Sequence, residues 1–258
     1  MSSLSKIPVI FLSEIDWDYL WQRHQIFARK YADQGHAVFY VNRPGMRLPT
    51  LKDIPYVLKR IWSAATEKER ISTKGKKNDI QVINPIFYPG DSWLSMEINK
   101  WMLVPWFIKK TIPTTQKVIL HTYQPTFLTM HIISKYPLAE VVYDCVQNFD
   151  EHPARTSLTK KTEKDLILRS DIMITDSSFL YNKHKEYKTN LLQVPPGVDF
   201  DRFNKTWRGD EMQKLQKFLY YGHVRDDLDL GLLNGIANHH NFDVTIVGKI
   251  ADNLTQTI

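Results

Sequence analysis

The chain has 258 residues, 43% hydrophobic and 12% aromatic, which is enough for one large or two small packed domains. The lone cysteine, Cys145, excludes an internal disulfide, and the apolar run Ile7 to Leu12 is too short for a secretory signal or for the roughly 18 to 20 apolar residues of a membrane-spanning helix. A cytoplasmic protein is expected, with any membrane contact peripheral. The net charge of +6 is concentrated between Arg43 and Lys77, where ten Lys or Arg face Asp53, Glu67 and Glu69, a balance of +7. Such a segment attracts anions or forms a solvated helix face, and without a recognition motif it argues against a nucleic-acid binder.

In chain order, short apolar runs rich in β-branched residues recur: Val9 to Leu12, Ala37 to Val41, Ile80 to Ile83, Val118 to Leu120, Val141 to Tyr143, Ile172 to Ile174 and Leu191 to Val194. They lack the in-out alternation of a half-exposed sheet and read as parallel strands covered on both faces. Helices are predicted over Leu20 to Asp33, Leu51 to Ala65, Ser92 to Lys110 and Thr156 to Arg169, with a short one from Ser178. This alternation defines an α/β, Rossmann-like domain. The loop Pro195-Pro196-Gly197-Val198-Asp199 and a charged stretch follow; then strand Phe218 to Tyr221, helix Leu228 to Asn238 and strand Val244 to Val247 form a single βαβ unit. The expected organisation is therefore a first domain over 1–205, a linker over 206–216, and an incomplete second domain over 217–258.

In open parallel sheets, ligands sit beyond the carboxyl ends of the strands, so the loops there carry the candidate site residues. After the first strand, Trp17, Tyr19 and Trp21 alternate with Asp16, Asp18, Arg23 and His24. Flat apolar faces beside hydrogen-bonding groups suit a sugar ring, whereas Trp21 and Phe27 also read as helix core. His121 and Tyr123 end another strand, and a histidine there suits proton transfer near neutrality or a structural role. Asp144, at the end of Val141 to Tyr143, is a candidate proton acceptor, the competing reading being loop stabilisation. In the second unit, Gly222-His223-Val224-Arg225 lies between a strand and a helix, where amides and Arg225 can hold a phosphate; Gly248 closes the next strand. There is no G-x-G-x-x-G, no Walker lysine and no run of His, Cys or Asp at ligand spacing, so neither a dinucleotide dehydrogenase nor a metal centre is expected.

The segments Trp21-Gln22-Arg23-His24-Gln25, Gly35-His36-Ala37-Val38-Phe39-Tyr40-Val41, Val142-Tyr143-Asp144, Arg169 to Ser177, and Pro196-Gly197-Val198-Asp199 with Phe203 together resemble bacterial GT-B glycosyltransferases of the cell-envelope polysaccharide type, similar to teichuronic acid biosynthesis enzymes (glycosyltransferase family 1/4-like). Tyr221-Gly222 and Asp227-Leu228-Asp229 are similar to the opening of the donor domain in that group. The resemblance implies two Rossmann-like domains, a nucleotide-sugar donor, a glycan or lipid-linked acceptor, and no cofactor or metal. Under that reading the candidate catalytic residues are Asp144 and His121, the candidate acceptor-binding residues Trp17, Arg23, His24 and Tyr123, and the candidate donor-binding residues Gly222, His223, Arg225 and Gly248. Members often carry further acidic residues where this chain has Gln147 and Asn148, and their paired donor-binding glutamates would lie beyond Ile258. The expected activity is hexosyl transfer in cell-surface polysaccharide synthesis. The alternatives are a non-catalytic acceptor- or partner-binding half and a sugar-nucleotide epimerase. The basic segment and the aromatic-rich stretch Ser92 to Lys110 point to peripheral contact with an anionic membrane at the inner face of the cell membrane, against the reading of an ordinary core helix.

Overall fold

The computed structural model describes residues 7–43, 69–71, 80–85, 97–103, 116–151, 157–198, 200, 217–222, 224, 228–239 and 242–250. The chain divides into two compact units, Met1–Gly197 and Val198–Ile258. In the first, β1 (Val9–Leu12), β2 (Val38–Val41), β3 (Glu69–Ile71), β4 (Ile80–Ile83), β5 (Val118–Thr122), β6 (Leu138–Cys145), β7 (Ile172–Thr175) and β8 (Leu191–Gln193) form one sheet in the order β3-β4-β2-β1-β5-β6-β7-β8. Seven strands run parallel, and β3 pairs antiparallel with β4 at one edge. From β1 the chain builds outward to β2 and β4, then returns to β5 and builds the other way. This Rossmann-like order places its switch point between the carboxyl ends of β1 and β5.

The apolar runs are strands because both of their faces are covered. Val9 and Phe11 join one core with Trp17, Ala28, Ala32, Val38, Tyr40 and Tyr123, under helix α1 (Arg23–Asp33). Ile10 and Leu12 join the opposite core with residues of α2 (Phe127–Lys135), α3 (Ser157–Arg169) and α4 (Ser178–His184). Successive strand residues thus alternate between two buried faces.

Helix α1 begins at Arg23, three residues past the Leu20 expected from periodicity, because a side chain holds the preceding turn. Gln25 Oε1 accepts from the Gln22 N–H at 3.0 Å, and its Nε2 donates to the carbonyls of Asp16, Trp17 and Leu20 at 3.3 to 3.4 Å. The helix stops at Gly35, whose φ of 99° is open to a residue without Cβ. Two elements escape the periodicity reading. β3 is short and charged, and the nine-residue sequence Phe-Leu-Thr-Met-His-Ile-Ile-Ser-Lys of α2 is too short, and interleaves polar and apolar residues too closely, to show a stripe. Its start signal is local: Thr126 Oγ1 accepts from the Thr129 N–H at 3.3 Å. Thr126→Ala is expected to cost about 1 kcal/mol of stability in urea unfolding, and Thr126→Ser to restore most of it.

Of the expected aromatic helix Ser92 to Lys110, the described part is 97–103, which includes a π-helical turn at Asn99–Leu103. There Trp101 is exposed and its Nε1 donates to Glu97 Oε2 at 2.6 Å. The expected helix Leu51 to Ala65 and most of the basic segment lie outside the described residues. No helix among the described residues is long and apolar enough to cross a membrane.

The second unit holds β9 (Lys217–Tyr221), α5 (Leu230–Ala237) and β10 (Asp243–Val247), with β9 and β10 paired in parallel. Asp229 caps α5, its Oδ1 accepting from the Leu232 N–H at 2.9 Å. This is the βαβ unit expected from the sequence.

Candidate functional site

The loop from β1 to α1 is pinned before it presents any side chain. Ser13 Oγ meets the Tyr40 hydroxyl at 2.6 Å, that hydroxyl donates to the Ile15 carbonyl at 3.0 Å, and Gln124 Nε2 donates to the Ser13 carbonyl at 2.9 Å. Asn42 Oδ1 accepts from the Trp17 N–H at 2.8 Å and Asn42 Nδ2 donates to Asn84 Oδ1 at 2.7 Å. The loop is therefore tied to the ends of β2, β4 and β5. Glu14 sits within it, at the switch point.

Arg23, in the first turn of α1, reaches across to the end of β6. Its Nε donates to Asp144 Oδ2 at 2.8 Å and its Nη2 to Asp144 Oδ1 at 3.0 Å, while Nη1 donates to the Val194 carbonyl at 2.7 Å. This is the two-pronged geometry a guanidinium fork offers a carboxylate. Phe27, one turn on, lies beneath the guanidinium at 4.5 Å. Asp144 is fully buried. Burial opposes its charge, but His121 and Arg23 outweigh that and hold the carboxyl below its ordinary range. His121 Nε2 lies 3.6 Å from Asp144 Oδ2, beyond hydrogen-bonding range, and its Nδ1 meets the Tyr31 hydroxyl at 3.2 Å. The ring stacks on Phe11 with centroids 4.6 Å apart.

Glu14 is the opposite case. Burial pushes its carboxyl up to about 8 from 4.5, with Arg43 lowering it, Asp144 raising it and the Gln147 amide lowering it. Gln147 Nε2 donates to Glu14 Oε2 at 2.7 Å. Two neighbouring acids are thereby driven apart: Asp144 stays ionised while Glu14 holds its proton at neutrality. Such a split marks sites of proton transfer.

Buried polar atoms without a hydrogen-bond partner gather here: both ring nitrogens of His24, His121 Nε2, the Tyr123 hydroxyl and Gln147 Oε1. Buried polar groups are ordinarily paired, so such a cluster calls for an explanation. His24 and Tyr123 face one another with ring centroids 3.7 Å apart. Burial brings the His24 imidazole down to about 4 and raises the Tyr123 phenol well above its usual range, with Asp144 adding to the effect. Both rings are uncharged at neutral pH.

The fold thus brings Asp144, His121, Arg23, His24 and Tyr123 together. Trp17 lies in the core beneath the loop, edge-on to Tyr40 at 4.9 Å, while Trp21 is half-exposed before α1. In the second unit, Gly222 and Gly248 lie side by side where β9 and β10 end. The Gly222 N–H donates to the Val247 carbonyl at 3.0 Å, and a Cβ on Gly248 would collide with the Gly222 carbonyl. His223 and Arg225 lie outside the described residues. Glu14 is the residue that sequence reasoning passed over, although its position directly after the first strand is the signal that finds it. Cys145, next to Asp144, is buried and its thiol is pushed up to about 12, which excludes a ready nucleophile.

Linkage gives Glu14 a stability signature. A carboxyl whose folded value exceeds its unfolded one contributes stability that is complete below about 4.5 and lost as pH rises through about 8. Glu14→Gln, which mimics the neutral acid, removes that dependence. Thermal unfolding should show the variant gaining on the unsubstituted chain between pH 5 and 8, by on the order of a few kcal/mol. A constant difference across that range would place the Glu14 titration elsewhere.

Fold and site together define a Rossmann-like α/β domain with an acid pair of split ionisation at its switch point. Scanned against models of known protein families and against curated protein sequences, the chain matches none.

Proposed function

We propose that this chain belongs to a GT-B type glycosyltransferase that moves a hexosyl unit from a nucleotide sugar to a hydroxyl of a glycan or lipid-linked acceptor. The observation that carries the reading is the cluster of buried polar groups at the switch point. A proton-holding Glu14 sits there beside an ionised Asp144, with partnerless polar atoms of His24, Tyr123 and Gln147 around them. A carboxyl titrating near 8 is matched to taking a proton from an alcohol close to neutral pH.

The assignment of roles follows burial. Asp144 is sealed from solvent and committed to Arg23, so it is a positioning residue that fixes the guanidinium. Glu14, in its ionised fraction, accepts the acceptor proton as the acceptor oxygen bonds to the anomeric carbon and the bond from that carbon to the nucleotide oxygen breaks. The nucleoside diphosphate leaves with the electron pair. Phosphate binding is proposed for Gly222, His223, Arg225 and Gly248 from their strand-to-helix position in the sequence alone. Alignment of two substrates supplies much of such an acceleration.

Incubating the chain with a panel of nucleotide sugars and glycan acceptors, with products resolved by mass and NMR, tests the reading. A new glycoside is the expected product. An epimerised nucleotide sugar would support the epimerase alternative, and unchanged substrates across the panel would favour a binding module.

A further inference from the structure

The opposite face of the same sheet carries a second polar cluster, independent of the one at the switch point. Strand alternation turns Asp144 toward α1 and sends Tyr143 and Cys145 into the core shared with α3 and α4. On α3, Glu163 shares a helical face with the buried Leu166 and Ile167, and on α4 His184 lies one turn beyond the buried Leu180. Three elements thus converge on Cys145. One potential ligand atom each from Cys145, Glu163 and His184 all lie within 4.8 Å of one another. The three residues are 0%, 6% and 4% exposed, and His184 Nε2 is buried without a hydrogen-bond partner. The Tyr143 hydroxyl donates to Glu163 Oε1 at 3.3 Å.

We propose that Cys145, Glu163 and His184 bind one divalent transition-metal ion of the Zn²⁺ type, which ties α3 and α4 to the end of β6. The donor set decides the class. One sulfur, one imidazole nitrogen and one carboxylate oxygen suit a cation of borderline softness and are a poor match for Ca²⁺ or Mg²⁺, which take oxygen ligands. Charge decides the oxidation state, because a thiolate and a carboxylate buried in an apolar core together balance a dication. Binding releases the thiol proton to solvent. Tyr143 then serves as an outer partner that orients the carboxylate. A nucleophilic role for Cys145 needs access that the residue lacks. With 17 and 20 residues between successive members, the trio matches no ligand motif, and only the fold assembles it.

Cys145 is the chain's single cysteine, so any thiolate-to-metal charge-transfer band reports this position alone. The full chain, stripped with a chelator and titrated with Co²⁺ in a non-chelating buffer, is expected to develop that band together with intense tetrahedral d–d absorption. Saturation should fall at one equivalent, with loss on adding Zn²⁺. Cys145→Ser should abolish the band, His184→Gln should weaken binding at least tenfold, and Tyr143→Phe should weaken it about tenfold. His131→Gln, a histidine on α2 outside the trio, should leave the titration unchanged. A titration of the unsubstituted chain with no saturable thiolate band overturns the proposal whatever the variants do. So does a band that His184→Gln leaves at full affinity.

Discussion

Glu14→Gln is expected to lower the turnover number for sugar transfer by about 10²- to 10⁴-fold, the usual contribution of a positioned general base. It should leave the acceptor KM close to its original value, because the amide still occupies the place beside Gln147. The pH profile sharpens the expectation. With a carboxyl titrating near 8, transfer by the unsubstituted chain rises tenfold per pH unit below that value and levels off above it. The residual activity of Glu14→Gln loses that limb. Turnover of the variant within a few-fold of the unsubstituted chain, with the same pH limb, would assign the proton to another group. His121 is the natural next candidate and Asp144 the least suitable, since a carboxylate stabilised as the anion is a weak base.

Arg23→Met is expected to cost about 3 to 5 kcal/mol in denaturant unfolding at neutral pH. The substitution leaves the buried Asp144 carboxylate without its counter-charge. An exposed ion pair would be worth no more than about 1 kcal/mol, but Asp144 is 0% exposed and the Arg23 side chain only 14%. The double variant Arg23→Met/Asp144→Asn should recover much of the loss, because no unpaired charge remains. The coupling energy of that double-mutant cycle measures the pair more cleanly than either single substitution. Arg23→Lys should fall between, since an ammonium cannot make both contacts to Asp144 while also reaching the Val194 carbonyl.

The fold was largely legible because its signal is local. Val9–Leu12 and Ile80–Ile83 stand as strands within the limits their apolar runs suggest. β6 extends beyond Val141 to Tyr143 on both sides, because pairing with β5 and β7 recruits flanking residues that hydropathy alone leaves out. α2 was hidden by its short length and interleaved polar residues, and β3 by being three residues long at an edge. The site was legible in position more than in role. The ends of parallel strands point to His121, Tyr123 and Asp144, but their burial depends on the packing of α1 across the sheet. That Asp144 serves Arg23 is a contact spanning 121 residues. Glu14 follows the first strand as those residues follow theirs, so its position was legible, but the desolvation that sets its role is not encoded in spacing. The trio of Cys145, Glu163 and His184 escaped because only the fold brings residues of three separate elements together.

The proposed proton transfer requires Glu14 to hold its proton at neutral pH while Asp144 does not. The most direct measurement is a ¹³C NMR titration of the glutamate side-chain carboxyls, with the Glu14 resonance assigned by its absence from the Glu14→Gln spectrum. Burial of Glu14 predicts a midpoint near 8. A midpoint at the ordinary value of about 4.5 would mean that water reaches the carboxylate freely, and the proton-transfer role at the switch point would fall with it.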